Sequence, residues 1–197
     1  MAERIASAGQ PEMALEEIER SATTAASLVR PLEICLALGA ENRRRFMDIA
    51  VSTLIARPRD EVFAYVSDYE NDPRWRAGIQ EMTLSSRGQS QVGTTSHEVG
   101  RFFGMKATTD GEVTRYEPSQ EIAFVGTMSD GTSVRNRRVV ATVAEHPNET
   151  QFTYELTVGL KGVMATFTPV MQTMMRRRCA ADLARLKRLL EAGALVR

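Results

Sequence analysis

Residues 167–190 read FTPVMQTMMRRRCAADLARLKRLL. Phe167, Met171, Met174, Cys179, Leu183, Leu186 and Leu190 recur there at steps of mostly three and four, which lays one apolar stripe along a long helix. Arg176, Arg177, Arg178, Arg185, Lys187 and Arg188 fall largely on its other faces. Pro169 belongs in the first turn or at a kink, and Gly193 suits the stop. Such a helix needs an extended apolar surface to lie on, and the residues before it supply one.

Working backwards, six short segments of strand composition are separated by turn signals. They are Ile79–Ser86, Thr94–Phe103, Lys106–Tyr116, Glu121–Met128, Ser133–Ala144 and Thr150–Val158, the last two parted by His146-Pro147-Asn148. Connections this short imply antiparallel neighbours. Upstream, Asp48–Arg57 alternates Ile49, Val51 and Thr53 with Ala50, Ser52 and Leu54, a half-buried strand. Pro58 ends it and opens a helix over Arg59–Ser67, with Val62, Phe63 and Val66 on one face. Asp68–Arg76 holds a second short helix that ends near Gly78. The expected class is α+β: a curved seven-stranded antiparallel sheet wrapped around a long C-terminal helix, with two short helices after the first strand.

The 25 basic and 25 acidic side chains cancel, so nothing global points to nucleic acid or an anionic membrane. Cys35 and Cys179 have no ligand spacing and read as reduced thiols, and His97 and His146 are far apart, so no metal site is expected. No apolar run approaches the roughly 20 residues that span a bilayer. The apolar piece Leu32–Ala40 is followed, not preceded, by Arg43-Arg44-Arg45, unlike a secretory signal, and the protein is expected in the cytoplasm.

Aromatic residues are absent before Phe46. Aromatics carry much of core burial, so residues 1–46 read as a mobile or loosely helical extension, 47–192 as the folded domain and 193–197 as a tail. Pro11–Val29 has helical composition and Pro31 could open a second helix, but short helices without a packing partner are marginal in water. Partner binding by this extension, or a natural start at Met47, are the alternative readings.

The strand Ile49-Ala50-Val51 runs into Ala56-Arg57-Pro58, Glu61-Val62-Phe63 and Val66-Ser67-Asp68, then Asp72-Pro73-x-Trp75. Val92-Gly93-Thr94 and Gly111-Glu112-Val113-Thr114-x-Tyr116-Glu117-Pro118 follow. In this order the residues resemble the START-like (SRPBCC) superfamily, within it the polyketide cyclase/dehydrase and lipid-transport group, over roughly Met47 to Glu191. The turn Pro147-Asn148-Glu149-Thr150 and the long extension depart from the pattern. The resemblance implies a helix-grip fold around a cavity for a lipid, polyketide or aromatic metabolite. Some members of the group close rings or dehydrate, and many bind without chemistry.

Candidate ligand contacts follow from strand parity. Val99 and Phe103 suggest that His97, Val99, Arg101 and Phe103 face the interior, the opposite register placing Ser96, Glu98, Gly100 and Phe102 there. An inward His97 would fix ligand orientation or move a proton. Phe152, Tyr154, Leu156 and Val158 alternate inward, so Tyr154 offers a phenol. Trp75 reads either as a wall of the cavity mouth or as packing for the short helices. Phe124, Phe167, Met171 and Met174 complete the candidate set, with Met164 and Met175 close to the same stripe. Arg135 and Arg137 read as a solvated strand face. No nucleophile–base–orienter set and no phosphate-binding glycine loop is visible. The expected function is a carrier or sensor of a small hydrophobic molecule, without cofactor; the alternatives are a metal-free cyclase/dehydratase using His97 and Tyr154, or protein interaction through the extension.

Overall fold

Alternating apolar residues build the first strand, β1 (Arg45–Ile55), with Met47, Ile49, Val51 and Ile55 buried. The computed structural model describes residues 45–86, 90–102, 104–160 and 166–193. β1 takes in Arg45 and Phe46, two residues ahead of the boundary read from composition, because both pair with the end of the last strand. Expectations for residues 1–44 lie outside the described residues.

After Pro58 the chain turns into α1 (Arg59–Ser67), with Asp60 and Glu61 in its first turn, where the helix dipole favours carboxylates. Val62, Phe63, Tyr65 and Val66 are its buried face. A 3₁₀ turn over Tyr69–Asn71 follows, started by the Asp68 carboxylate, which accepts from the Glu70 N–H at 3.0 Å. Pro73 then opens α2 (Asp72–Trp75).

The remaining strands are β2 (Ile79–Leu84), β3 (Thr95–Phe102), β4 (Met105–Glu117), β5 (Glu121–Met128), β6 (Ser133–Val143) and β7 (His146–Leu160). They form one antiparallel sheet in the order β1-β7-β6-β5-β4-β3-β2. Register shifts at Ile79/Glu81 and Val113/Arg115 are bulges, which bend and twist the strands that carry them. The β6–β7 turn falls at Ala144–Glu145 rather than at His146-Pro147-Asn148, and Glu145 holds a positive φ of 71°. Pro147 is tolerated in β7 because it lies in the register shift after His146, where no ladder N–H is required.

The long helix, α3 (Thr168–Glu191), packs chiefly against β1. It ends where Gly193, at φ 77°, donates its N–H to the Leu190 carbonyl at 3.1 Å. Its buried stripe is Met171, Met175, Cys179, Leu183, Leu186 and Leu190. Phe167 and Met174 are exposed, at 57% and 53%, and so do not belong to it. Neighbouring helix positions are about 100° apart, so 174 and 175 cannot share one stripe, and Met175 is the residue one turn before Cys179.

Replacing Leu186 with Ala is expected to lower unfolding free energy by about 2–5 kcal/mol, and Met174→Ala by less than about 0.5 kcal/mol. Equal shifts of the urea midpoint for the two variants would contradict this stripe.

Candidate ligand site

Between the sheet and α3 lies a cavity of about 90 Å³. β7 contributes Tyr154, Leu156 and Val158 from one face, because alternate strand residues point the same way. α3 contributes Met175, Cys179 and Leu183 at helical spacing, and α2 contributes Trp75. The Trp75 ring meets Phe152 and Tyr154 edge-on, at centroid distances of 6.2 and 5.9 Å. Two glycines let other groups approach closely at the rim, and at Gly100 the neighbour is backbone. A Cβ on Gly78 would collide with the Arg178 guanidinium, and one on Gly100 would come within 2.6 Å of the Gly78 carbonyl oxygen. That closeness lets the Arg101 N–H donate to Gly78 at 2.8 Å and draws the entry to β2 against β3.

Beside the cavity runs a buried charge network. The Asp72 carboxylate, fully buried, accepts from Arg138 Nη2 at 2.5 Å and from Arg76 Nη1 at 2.8 Å. Arg76 Nη1 also reaches Glu98 Oε2 at 2.7 Å. Arg138 Nη1 donates to the Val66 carbonyl at 2.6 Å, and its guanidinium lies 4.0 Å from the Tyr69 ring centroid. Burial works against the Arg76 charge, but Glu98, Tyr154 and Asp72 outweigh it and hold its pKa well above the ordinary arginine value. Burial likewise opposes the Arg138 charge, and Asp72 and Tyr69 reverse the balance.

Burial raises the pKa of three further groups that line the cavity. Burial pushes the Tyr154 phenol far above its usual pKa against the pull of Arg76, so it remains a hydrogen-bond donor. Burial also raises the Cys179 thiol to about 11. The Asp182 carboxyl is raised by burial, opposed by the Ala77 N–H that donates to it at 3.0 Å. Two buried donors that face this region, the Tyr154 hydroxyl and the Trp75 indole N–H, have no hydrogen-bond partner among the described residues.

Of the residues expected from sequence, Trp75, Arg101 and Tyr154 line the cavity. Met171 is buried in the adjoining core, and Phe124 packs on Tyr69 in a second apolar cluster. His97 and Val99 lie on the outer face of β3, which corrects the inward register expected for them. His97 is exposed, with Nδ1 2.6 Å from Asp110 Oδ1, while Ser96 and Gly100 are buried and Glu98 faces the cavity. Parity alone left both registers open, and the pairing with β4 decides between them. Arg101 shares that outer parity but reaches the rim where β3 ends beside Gly78. Phe167 and Met174 are exposed and away from the cavity, as the helix stripe requires. Phe103 and Met164 lie outside the described residues.

Arg76, Glu98, Arg138, Arg178 and Asp182 were not singled out as site residues. Signals for two of them exist: Arg138 has the opposite parity to Arg135 and Arg137, and Asp72–Arg76 is an i,i+4 pair.

The family of polyketide cyclase/dehydrase and lipid transport proteins matches residues 47–191. The chain belongs to this family. A search of curated proteins finds no match. Among solved structures, a START superfamily protein from Mycobacterium smegmatis is similar at 18% identity, with 75% of this chain and 96% of that one covered and a TM-score of 0.55. A protein from Thermus thermophilus is similar at 16% identity over 74% and 98%, with a TM-score of 0.61. The Zhui aromatase/cyclase from Streptomyces is similar at 14% identity over 77% and 100%, with a TM-score of 0.59. At these identities the likeness is one of fold: a helix-grip START architecture. Among the described residues no His, Cys, Asp and Glu cluster could hold a metal ion, and no helix is long and apolar enough to cross a membrane.

Asp72→Ala is expected to cost about 3–5 kcal/mol in denaturant unfolding, because it leaves the Arg138 charge buried without its carboxylate. Arg137→Ala, at a half-exposed ion pair with Glu121 and Glu155, should cost under about 1 kcal/mol. Cys179, with its thiol raised to about 11, should react with iodoacetamide at pH 8 on the order of 100-fold more slowly in folded than in unfolded protein. Residue-resolved mass spectrometry would show equal rates if the thiol were open to solvent.

Proposed function

We propose that the domain binds a small, mainly apolar molecule bearing an oxygen acceptor in the cavity under α3, and acts as its carrier or sensor. The observation that carries this reading is the Tyr154 hydroxyl, on a side chain only 2% exposed, which lines the cavity without a hydrogen-bond partner among the described residues. An unpaired buried hydroxyl costs about 1–3 kcal/mol, and a ligand carbonyl or ether oxygen would recover that by accepting its proton. Trp75 supports the same chemistry, with an apolar ring against the ligand and an unpaired N–H. Family membership supports a hydrophobic ligand.

Acid–base chemistry by His97 and Tyr154 together is not supported by their positions, since His97 is exposed on the outer face and Tyr154 is buried beneath the sheet. Tyr154 alone is suited to donate a hydrogen bond, because burial disfavours its anion.

Thermal-shift screening against quinones, polyketides and small aromatic ketones should find ligands. A ligand at about 100 times its Kd stabilises the protein by about 2.7 kcal/mol. Tyr154→Phe should leave stability unchanged or raised while weakening the best ligand by roughly 5- to 30-fold, the worth of one buried hydrogen bond. Met175→Trp should fill the cavity and remove the response. No ligand from any class, or full affinity in Tyr154→Phe, would refute the reading.

A further inference from the structure

The charges around the cavity do not balance at its rim. Inside, Asp72 and Glu98 are matched by Arg76 and Arg138. At the solvent side, Arg178 of α3 and Arg101 of β3 both line the cavity, and neither forms an ion pair with any described residue. Arg178 lies over Gly78 and, among the described residues, donates only to the Arg101 carbonyl, at a long 3.3 Å. The Arg101 guanidinium donates to the Gly104 carbonyl at 3.1 Å. Two guanidinium groups bound to carbonyls alone, one of them half-buried, stand where a ligand enters. The nearby Asp182 carboxylate accepts from the Ala77 N–H and offsets part of the Arg178 charge without forming an ion pair with it, so the two guanidinium groups leave the rim positive.

From this arrangement, and resting on the cavity reading above, we infer that the ligand is a small amphipathic organic acid. Its oxygen-bearing apolar body lies between Trp75, Leu156 and Met175, within reach of Tyr154, and its carboxylate sits at the rim on Arg178 and Arg101. Guanidinium groups suit this task, since each offers two parallel donors to a carboxylate. A cavity of about 90 Å³ selects a body of roughly one aromatic ring over a long acyl chain.

Calorimetric titration of the full chain with cinnamic acid and with methyl cinnamate, and with octanoic acid and methyl octanoate, tests the inference. These pairs share a body and differ in charge. The acid of the aromatic pair should bind about 10-fold more tightly than its ester, and about 1 M salt should shrink the difference. Arg178→Met, and separately Arg101→Met, should reduce that preference with the ester's affinity held, whereas Arg188→Met, on the same helix and outside the cavity lining, should leave both affinities unchanged. Acid and ester binding equally would overturn the acid class and leave the cavity reading standing. Binding of neither aromatic nor aliphatic pair to folded protein would overturn both. A preference for acid that survives in Arg178→Met and Arg101→Met would move the anion site elsewhere and overturn the rim assignment.

Discussion

A single buried carboxylate ties the domain together. Asp72 receives Arg138 from β6 and Arg76 from the end of its own short helix, and Arg76 passes on to Glu98 on β3. Arg138 also holds the Val66 carbonyl at the end of α1. Removing charges from water is expensive, and the cost is offset only when every partner is in place. The short helices therefore have one seat on the sheet in which the Asp72 carboxylate meets the Arg138 guanidinium. That seat puts Trp75 against Phe152 and Tyr154 and so makes one wall of the cavity.

The cavity has a consistent polarity from inside to outside. Its depth is apolar with one unpaired phenol, its flank carries charges that cancel, and its rim carries two arginines. In the proposed reading, ligand recognition separates into burial, one directed hydrogen bond and charge at the entrance, each carried by different residues. The same partition explains why His97 lost its expected role. It stands on the solvent face of β3 with Asp110, and the strand presents Glu98 to the cavity instead.

Much of the architecture was legible because it depends on local patterns. The α1 bounds, the β5 bounds and the Gly193 stop follow from Pro58, from the turn residues on either side of the strand and from a glycine that takes a positive φ, all of which act within a few residues. The inward set Tyr154, Leu156 and Val158 was legible for the same reason: a strand buried on one face repeats every second residue. The helix stripe was read with two errors: Phe167, just ahead of the helix, is exposed, and Met174 was taken for Met175, since two adjacent methionines give the same composition and differ only in azimuth.

The sequence by itself determined the order of elements, the antiparallel class and family membership, because short connections and hydrophobic period admit few topologies. Only the tertiary structure decided the face of β3, the burial of Arg138 and the convergence of Arg76, Glu98 and Asp182 on the cavity. The physical reason is that charged side chains carry no periodic signal of their own. Whether such a group meets water or a partner depends on residues 22 or 66 positions away, as with Arg76–Glu98 and Asp72–Arg138, and pairing at that range exists only once the sheet has closed.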